Sequence, residues 1–388
     1  MTFYTDPAFF VLLAIAVLPA IGLGIAGKPL RLYGFCVSVV FLGFLFSKDL
    51  KSLAAFIFYL VLSTAVTMVY LRLRGRENPP KAAYPIALVA VLAPLIVYKV
   101  GAVFDQNILG FLGISYITFK AAQVVLEIHD GLIKEFSPLD YLYTLVFFPS
   151  FTSGPILRSR AFVEDIHTVL PRSEYIDLLR ASALRFVVGA FYKFVCSSLF
   201  SIAMWAVPRA IGTSTAAKAA LGQVGEAWAY ALFLFFDFAG YSLMAVGVGG
   251  VLGVHVPQNF RAPFLSVDIK DFWNRWHISL SWWLRDYVFM RVVRIIRRKK
   301  LLKSRLAASC AGYVVNMTLM GLWHGITPNY FVYGVYHGVL LSLNEVFQKS
   351  AFYKRHKDSR AFRVCSWFVT MNLVVFGMAL FSGQVHIG

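Results

Sequence analysis

Charged residues are scarce in this sequence of 388 residues. Asp, Glu, Lys and Arg together make up only 14% of the chain, whereas hydrophobic residues make up 59%. A soluble globular domain carries about 25% charged residues, so the composition excludes that class. Uncharged apolar stretches of 17 or more residues recur along the whole chain. They exclude a single signal peptide or anchor and predict a multi-pass membrane protein.

Cysteine is also scarce, and the few cysteines are far apart. Their spacing argues against a disulfide framework, a zinc site or a redox pair, so packing is the expected role of each. No His-x₃-His or Cys-x₂-Cys spacing occurs either, so we expect no bound metal. The four cysteines are Cys36, Cys196, Cys310 and Cys365.

Acidic residues are the rarer charged class, with 19 Asp and Glu against 37 Lys and Arg and a net charge of +18. Lys and Arg are typical of cytoplasmic loops and of contacts with anionic lipid headgroups, which accounts for most of the excess. A positive field would also attract an acidic protein or a polyanionic substrate. Nucleic acid is not expected, because the cations lie beside predicted spans rather than in a soluble basic domain.

The apolar stretches predict roughly ten or eleven transmembrane helices of about 20 residues each, with one or two re-entrant or interfacial elements. Because Lys28 and Arg31 follow the first stretch, the N-terminus is expected outside the cell. Residues 209–226 are predicted to form a loop. The predicted spans are 7–27, 32–47, 52–71, 82–98, 106–126, 141–157, 186–208, 227–256, two within 306–344, and 364–388.

The segment 141–157 is uncharged but interrupted by Pro149, Gly154 and Pro155. These residues predict a span that ends in a re-entrant or interfacial turn. Lys120, inside another stretch, should face protein, water or a headgroup. Neither a repeat nor a soluble domain is apparent. We therefore predict one all-α membrane domain over 1–388, with N-terminal spans in 1–135, a catalytic core in 136–344 and a C-terminal span in 345–388.

Two histidines lie in unusual surroundings, His277 in RWHIS and His324 in LWHG. A neutral imidazole is tolerated inside a membrane and can accept or donate a proton near pH 7. Acyl transfer to a hydroxyl needs a group that removes the hydroxyl proton and another that steadies the oxyanion. A structural hydrogen bond to a neighbouring helix is the alternative for each histidine. Two histidines flanked by tryptophan favour a catalytic pair.

Several polar or aromatic residues are candidates for support of this pair or for a substrate path. Asp237 lies within a predicted span, where a hydrogen bond to Tyr241 or Ser242 is an equally good interpretation. His337, in YGVYHG, is predicted to support the pair rather than to react. The full set is Asp237, Tyr241, Ser242, Trp276, Ser279, Trp323, Asn316 and His337.

The segment 285–305 contains nine cations and one acid, interleaved with apolar residues. A polybasic helix on anionic lipid is one interpretation. An apolar strip edged with positive charge also suits a small acidic helical protein, which electrostatics would steer and apolar contacts would hold. The predicted docking residues are Phe289, Met290, Val293, Arg294, Arg297 and Arg298.

Five motifs together resemble the membrane-bound O-acyltransferase superfamily, and within it the teichoic-acid D-alanyltransferase branch. The RDYVFMR continuation, the LWHGITPNYFVYGVYHG block and the short length favour that branch over the longer polysaccharide O-acetylases. The motifs are FFPSFTSGPILRSRAF (147–162), FDFAGYS (236–242), NFRAPF (259–264), DFWNRWHISLSWWLRDY (271–287) and MGLWHG (320–325).

The resemblance implies a ring of membrane helices in which a cytoplasmic tunnel meets an extracellular funnel. It implies that His324 is catalytic, as base or as nucleophile, and that His277 occupies the partner position. The acyl donor would be D-alanine on the phosphopantetheine thioester of a small acidic carrier protein, with no cofactor bound by the chain itself. The acceptor would be (lipo)teichoic acid of a Gram-positive cell wall, reached directly or through a small membrane peptide, at the bacterial plasma membrane. The sequence ends at Gly388, directly after the last predicted span, so contacts from a C-terminal tail are not expected.

Two other functions compete with D-alanyl transfer. One is the same chemistry with an acetyl donor and an extracellular polysaccharide acceptor, as in alginate acetylation. The other is a transporter or flippase whose buried His, Asp and Lys residues line a pathway. The sequence lacks the repeated broken helices that many transporters contain.

Overall fold

The computed structural model describes residues 2–385 and 387, which form helices joined by turns and irregular segments, with no strand among them. Short 3₁₀ turns occur at Phe148–Ser150 and Pro263–Leu265, and π-helical segments at Tyr192–Cys196 and Arg285–Phe289. The α-helices are α1 (Pro7–Ile25), α2 (Arg31–Phe46), α3 (Leu50–Arg74), α4 (Ala83–Val103), α5 (Ile114–His129), α6 (Pro138–Val146), α7 (Ser159–His167), α8 (Arg172–Phe191), α9 (Ser197–Ile211), α10 (Ala216–Val251), α11 (Ile269–Trp273), α12 (Ile278–Leu284), α13 (Met290–Arg298), α14 (Arg305–His324), α15 (Pro328–Phe347), α16 (Ala351–His356) and α17 (Arg360–Ser382).

Among the described residues, seven helices are long and apolar enough to cross a membrane, and α2 is a shorter apolar helix. The protein is therefore a multi-pass, all-α membrane protein, as predicted. Helices α5 and α15, which also coincide with predicted spans, fall outside that criterion, so the number of ten or eleven spans stays a prediction. The seven are α1, α3, α4, the continuous helix Arg172–Ile211, α10, α14 and α17.

The helices form two compact units, Met1–Ala190 with Tyr241–Pro257, and Phe191–Gly240 with Gln258–Gly388. Helix α10 contributes residues to both. The predicted division of one domain into 1–135, 136–344 and 345–388 stays a prediction. The last predicted span, 364–388, contains most of α17, whereas His386 and Gly388 lie outside the described residues.

The first unit is organised around α5, which packs against α3, α4 and α6. Thirteen of its residues are buried, including Lys120, whose side-chain nitrogen donates to the Thr144 carbonyl at 3.0 Å. Lys120 therefore faces protein, which is one of the environments predicted for it. The helix begins only at Ile114, after Gly113 with φ +90°, so the predicted span 106–126 starts eight residues too early. Uncharged residues before Gly113 extended the apolar pattern without being helical.

The segment after α6 is broken, as its prolines predict. Helix α6 has nine residues, too few to cross a bilayer, and is followed by the 3₁₀ turn Phe148–Ser150. The hydroxyl of Tyr4 donates to the Pro149 carbonyl at 3.3 Å, and Lys120 lies 3.4 Å from the Ser150 hydroxyl oxygen. Side chains of other elements thus satisfy backbone and hydroxyl groups of a turn that is itself buried.

The second unit contains the close pair α14 and α15, with α17 and α11 against α15 and α13 against α14. The predicted turn near 327–329 is confirmed, because α14 ends at His324 and the Thr327 hydroxyl caps α15 by accepting from the Tyr330 N–H. The predicted loop at 209–226 is wrong over most of its length, since α10 begins at Ala216. Small residues there lowered the apolar signal, although alanine is the strongest helix former.

Candidate active site

His277 lies at a strained point of the backbone, in the connection between α11 and α12. Its φ of +45° and ψ of 52° belong to the left-handed region, which a non-glycine residue rarely adopts. The Ile278 N–H donates to the Asn259 carbonyl at 2.9 Å, and the Arg261 N–H donates to the Arg275 carbonyl at 3.0 Å. These bonds join two irregular segments, 259–261 and 275–278. The surrounding loop therefore holds the strained conformation in place.

The side chain of Asn259 replaces the capping group that His277 does not supply to α12. Its Oδ1 accepts from the Ser279 N–H at 3.3 Å and from the Ser279 hydroxyl at 2.6 Å. An N-cap residue normally makes this bond itself. Because Asn259 caps α12, the imidazole of His277 does not serve as a cap and stays available for chemistry.

Aromatic rings enclose His277 and its neighbour Trp276. The Phe238 ring meets the His277 ring edge to face at 4.7 Å between centroids, and Phe272 stacks on Trp276 at 5.5 Å. His277 is 5% exposed, and its Nε2 has no hydrogen-bond partner among the described residues. A buried nitrogen of this kind is normally satisfied, so an unsatisfied one is a candidate position for a bound polar group.

Burial, and then the charge of His324, hold the pKa of His277 well below its ordinary value. His277 lies outside the seven candidate spans. Its ring is therefore neutral near pH 7, with one nitrogen able to donate and one able to accept. His324 is the second cause of this lowering, so the two imidazoles lie within electrostatic range of each other.

His324 is the last residue of α14, directly before the turn to α15. Its ring lies 4.6 Å from the Trp323 ring and 4.9 Å from the Phe381 ring of α17. The backbones of α14 and α15 approach closely here, because a Cβ on Gly321 would lie 2.2 Å from the Tyr330 carbonyl oxygen. Glycine at this crossing sets where the end of α14 stands. His324 is thus positioned by the packing of three helices.

His337 lies on α15, among aromatic rings that also surround His324. It is 1% exposed, and its ring meets those of Trp273 at 5.1 Å and Tyr333 at 4.8 Å. Tyr333 also approaches His324, with 6.4 Å between ring centroids. A Cβ on Gly377 would lie 2.4 Å from His337 Nε2, so the imidazole packs against α17 at a position where only glycine fits. The arrangement agrees with the predicted supporting role and does not test it.

The remaining supporting candidates are dispersed. Asn316 lies on α14 eight residues before His324, about 12 Å along the axis, with its Oδ1 buried and unpartnered among the described residues. Asp237 forms an ion pair with Lys193 at 2.6 Å. In the first unit, the hydroxyl of Tyr241 shares a hydrogen bond with that of Thr152, and Ser242 is buried.

The predicted docking residues divide into two groups on α13 and the π-helical turn before it. A Cβ on Gly312 of α14 would lie 2.7 Å from Val293 and 2.9 Å from the Phe289 ring, so these two side chains pack onto α14. The other four are exposed, and Ile295, not predicted, is 52% exposed beside them. They are Met290, Arg294, Arg297 and Arg298.

Asn259 and Phe238 are site residues that the sequence did not single out, although both lie in motifs used for the resemblance. Asn259 precedes Ser279 by 20 residues, and Phe238 precedes His277 by 39, so no local periodicity connects them. Lys193 is a third case, because it lies 44 residues from Asp237 and no motif connects the two. Only the fold places it against Asp237.

The sequence matches the family model described as "MBOAT, membrane-bound O-acyltransferase family" over residues 45–381. It is 39% identical to the teichoic acid D-alanyltransferase of Bacillus subtilis, over 99% of this chain and 98% of that protein. It is 37% identical to the enzyme of the same name from Streptococcus thermophilus, over 99% and 95%. A probable alginate O-acetylase of Pseudomonas syringae is 32% identical over 71% of this chain and 50% of that protein.

Proposed function

This chain belongs to the membrane-bound O-acyltransferase family, and on that premise we propose that it transfers D-alanine from a thioester to hydroxyl groups of teichoic acid. Family membership makes it an acyltransferase, which leaves the transporter hypothesis without support. Similarity to three teichoic acid D-alanyltransferases over nearly the whole chain supports this acyl group and acceptor. Acetyl transfer to a polysaccharide is the second candidate, supported by similarity to alginate O-acetylases over about 70% of the chain.

The observation that carries the proposal is the pair formed by His277 and His324. One ring is buried, neutral and unpartnered at Nε2, and the other lies at the end of α14 near enough to affect it. We assign His324 as the base that accepts the proton of the acceptor hydroxyl. The neutral imidazole of His277 would donate its N–H to the oxyanion that forms on the acyl carbonyl.

The proposed reaction is one exchange of bonds at the acyl carbon. The acceptor oxygen forms a C–O bond, the thioester C–S bond breaks, and the electron pair leaves with sulfur. The proton taken by His324 passes to the departing thiolate, which regenerates neutral imidazole. A covalent acyl-histidine on His324 is the alternative route, which a single-turnover experiment would reveal as acyl-enzyme after the donor is added without acceptor.

The proposed donor is D-alanine on the phosphopantetheine of a small acidic carrier protein. Exposed Arg294, Arg297 and Arg298 with the apolar Met290 and Ile295 support this choice, because together they suit an acidic helical surface. The phosphopantetheine belongs to the partner and not to this chain. Anionic lipid is the competing ligand for the same cations.

The proposed location is the bacterial plasma membrane, with the N-terminus outside. The polybasic segment 285–305 would then face the cytoplasm, where the carrier is loaded, in agreement with the positive-inside rule. The acceptor would lie on the outer side, directly on teichoic acid or first on a small membrane peptide. A cysteine-accessibility scan of the loops at both membrane faces tests this topology.

The central experiment measures D-alanylation by His324→Ala in membranes supplied with D-alanyl carrier protein. We expect loss of transfer while expression and carrier binding stay at the level of the parent. The control is His356→Ala, at the end of α16, whose Nδ1 faces the Phe352 carbonyl of its own helix. Activity retained by His324→Ala would overturn the assignment. Labelling of the acceptor by an acetyl donor, and not by the D-alanyl carrier, would favour the second candidate.

A further inference from the structure

An ion pair between residues of the second unit joins two long helices, Arg172–Ile211 and α10. The Lys193 ammonium lies 2.6 Å from Asp237 Oδ1; the lysine side chain is 10% exposed and the aspartate side chain 40% exposed. Both residues belong to helices apolar enough to cross a membrane. Charges in such helices are costly, and their presence usually serves a function. The pair therefore needs an explanation beyond stability, since apolar residues of similar volume would pack as well.

The backbone is distorted at Lys193. Residues Tyr192–Cys196 form a π-helical turn between α8 and α9. The hydroxyl of Ser197 donates to the Lys193 carbonyl, and that of Ser198 donates to the Phe194 carbonyl at 2.9 Å. Such bonds to carbonyls four residues back occupy groups that a regular helix would use, and π turns are frequent at functional sites. The distortion coincides with the residue that reaches Asp237.

Four consecutive residues of α10, Phe235 to Phe238, contact two neighbouring segments, and Phe235 touches both, with Tyr192 at 6.4 Å between ring centroids. Phe236 contacts Tyr192 at 5.1 Å between ring centroids. Tyr192 lies in the same helix as Lys193, the partner of Asp237. Phe235 and Phe238, three residues apart and so on one face, contact Trp276 at 6.3 Å and His277 at 4.7 Å. The rotation of α10 about its axis therefore decides both sets of contacts.

We propose that the Lys193–Asp237 ion pair is a positioning device that fixes the rotation of α10 and so holds Phe238 against the ring of His277. Neither charged residue contacts the reacting atoms in this proposal. The pair acts through Phe238, which limits the orientations of the imidazole. This inference rests on the proposed role of His277 in acyl transfer.

The test compares the ion pair with an apolar pair of similar size. In Lys193→Met/Asp237→Leu no charge is left unpaired, so we expect thermal stability in detergent at least equal to that of the parent. We expect kcat for D-alanyl transfer to fall about tenfold or more, since misplacement of a reacting group by about 1 Å costs up to about 100-fold. KM for the carrier should stay unchanged. A kcat equal to the parent's in this variant would overturn the proposal and leave the ion pair with a structural role only.

A second comparison tests whether the pair acts through Phe238. Phe238→Ala should lower kcat in the parent but add little in the apolar-pair variant, because the two changes remove the same constraint. Independent, additive losses would contradict the proposal. Lys193→Arg keeps the charge and should retain kcat within about twofold. This comparison remains informative if the double variant folds poorly. Arg180→Met, in the exposed Arg180–Asp177 pair of α8, is the matched control and should change nothing.

A readout without turnover separates this inference from the proposed function. Diethyl pyrocarbonate modifies accessible imidazoles, and peptide mass spectrometry gives the rate at His277 alone. That rate should rise severalfold in the apolar-pair variant and stay at the parent's level in Arg180→Met. An unchanged rate would overturn the positioning role. If the parent transfers no D-alanine, the proposed function fails, whereas the modification rates still decide whether the pair holds His277.

Discussion

Asn259 Oδ1 receives two hydrogen bonds from Ser279, one from its backbone N–H and one from its hydroxyl. The carbonyl of the same asparagine receives the N–H of Ile278. Three bonds thus converge on one residue beside His277, whose backbone is in the left-handed region. Asn259 consequently fixes the backbone directly after the buried imidazole.

Replacement of Asn259 should therefore affect the rate more than substrate binding. In Asn259→Ala the N–H and the hydroxyl of Ser279 lose the Oδ1 acceptor, which should cost about 1–3 kcal/mol of stability. We expect kcat to fall about tenfold to 100-fold with little change in KM, because the imidazole is misplaced. Ser279→Ala removes only the hydroxyl bond and should give a smaller loss. Equal effects of the two variants on kcat would contradict this account.

Stability should fall at acid pH because His277 is buried in neutral form. Its folded pKa lies below its ordinary value of 6.5, so below that pH the unfolded chain binds a proton that the folded protein does not. The free energy of unfolding then decreases as pH falls through about 6.5. Melting temperatures in detergent from pH 8 to pH 5 measure this. His277→Asn, which tolerates a left-handed backbone, should show a shallower decline, and an unchanged decline would contradict the prediction.

Charge reversal on the exposed face of α13 should weaken carrier binding. The triple variant Arg294→Glu/Arg297→Glu/Arg298→Glu should reduce affinity strongly at low salt and less at high salt, where the attraction is already screened. Isothermal titration with the carrier at two salt concentrations measures the effect. The control reverses Lys354, Arg355 and Lys357, an exposed basic cluster on another segment. Unchanged affinity at low salt would reassign the face to anionic lipid.

A methyl group at Gly334 should separate α14 from α15. A Cβ there would lie 2.5 Å from the Met317 carbonyl oxygen and 2.9 Å from the Thr318 Cα. Because both neighbours are backbone atoms, Gly334→Ala should cost about 1–3 kcal/mol. It should also lower kcat by displacing His324. Gly43→Ala on α2, where a Cβ meets no atom within 4 Å, should leave stability and activity unchanged or slightly raise stability. Thermal unfolding and turnover measurements on both variants test these expectations, and equal stability and kcat in the two variants would contradict them.

Much of the fold was predictable from the chain alone. Uncharged stretches located α1, α3, α4 and α14, and the Thr-Pro-Asn sequence located the turn before α15. The predicted helix boundaries were wrong where they were inferred from hydropathy alone rather than from helix-forming residues. The apolar residues before Gly113 looked like a span, and the small residues after Thr215 looked like a loop. Alanine-rich sequence forms helix without being strongly apolar, so hydropathy alone could not mark the start of α10.

The sequence by itself determined that this is an all-α membrane protein and that histidines flanked by tryptophan are its candidate reactive groups, because composition and short motifs are properties of the chain. Only the tertiary structure decided what surrounds them. Asn259 holds the His277 loop, Phe238 meets its ring, and Lys193 reaches Asp237 across 44 residues. It also turned Phe289 and Val293 onto α14, leaving the arginines exposed. Those relationships depend on how helices pack, and packing joins residues whose separation along the chain carries no periodic signal.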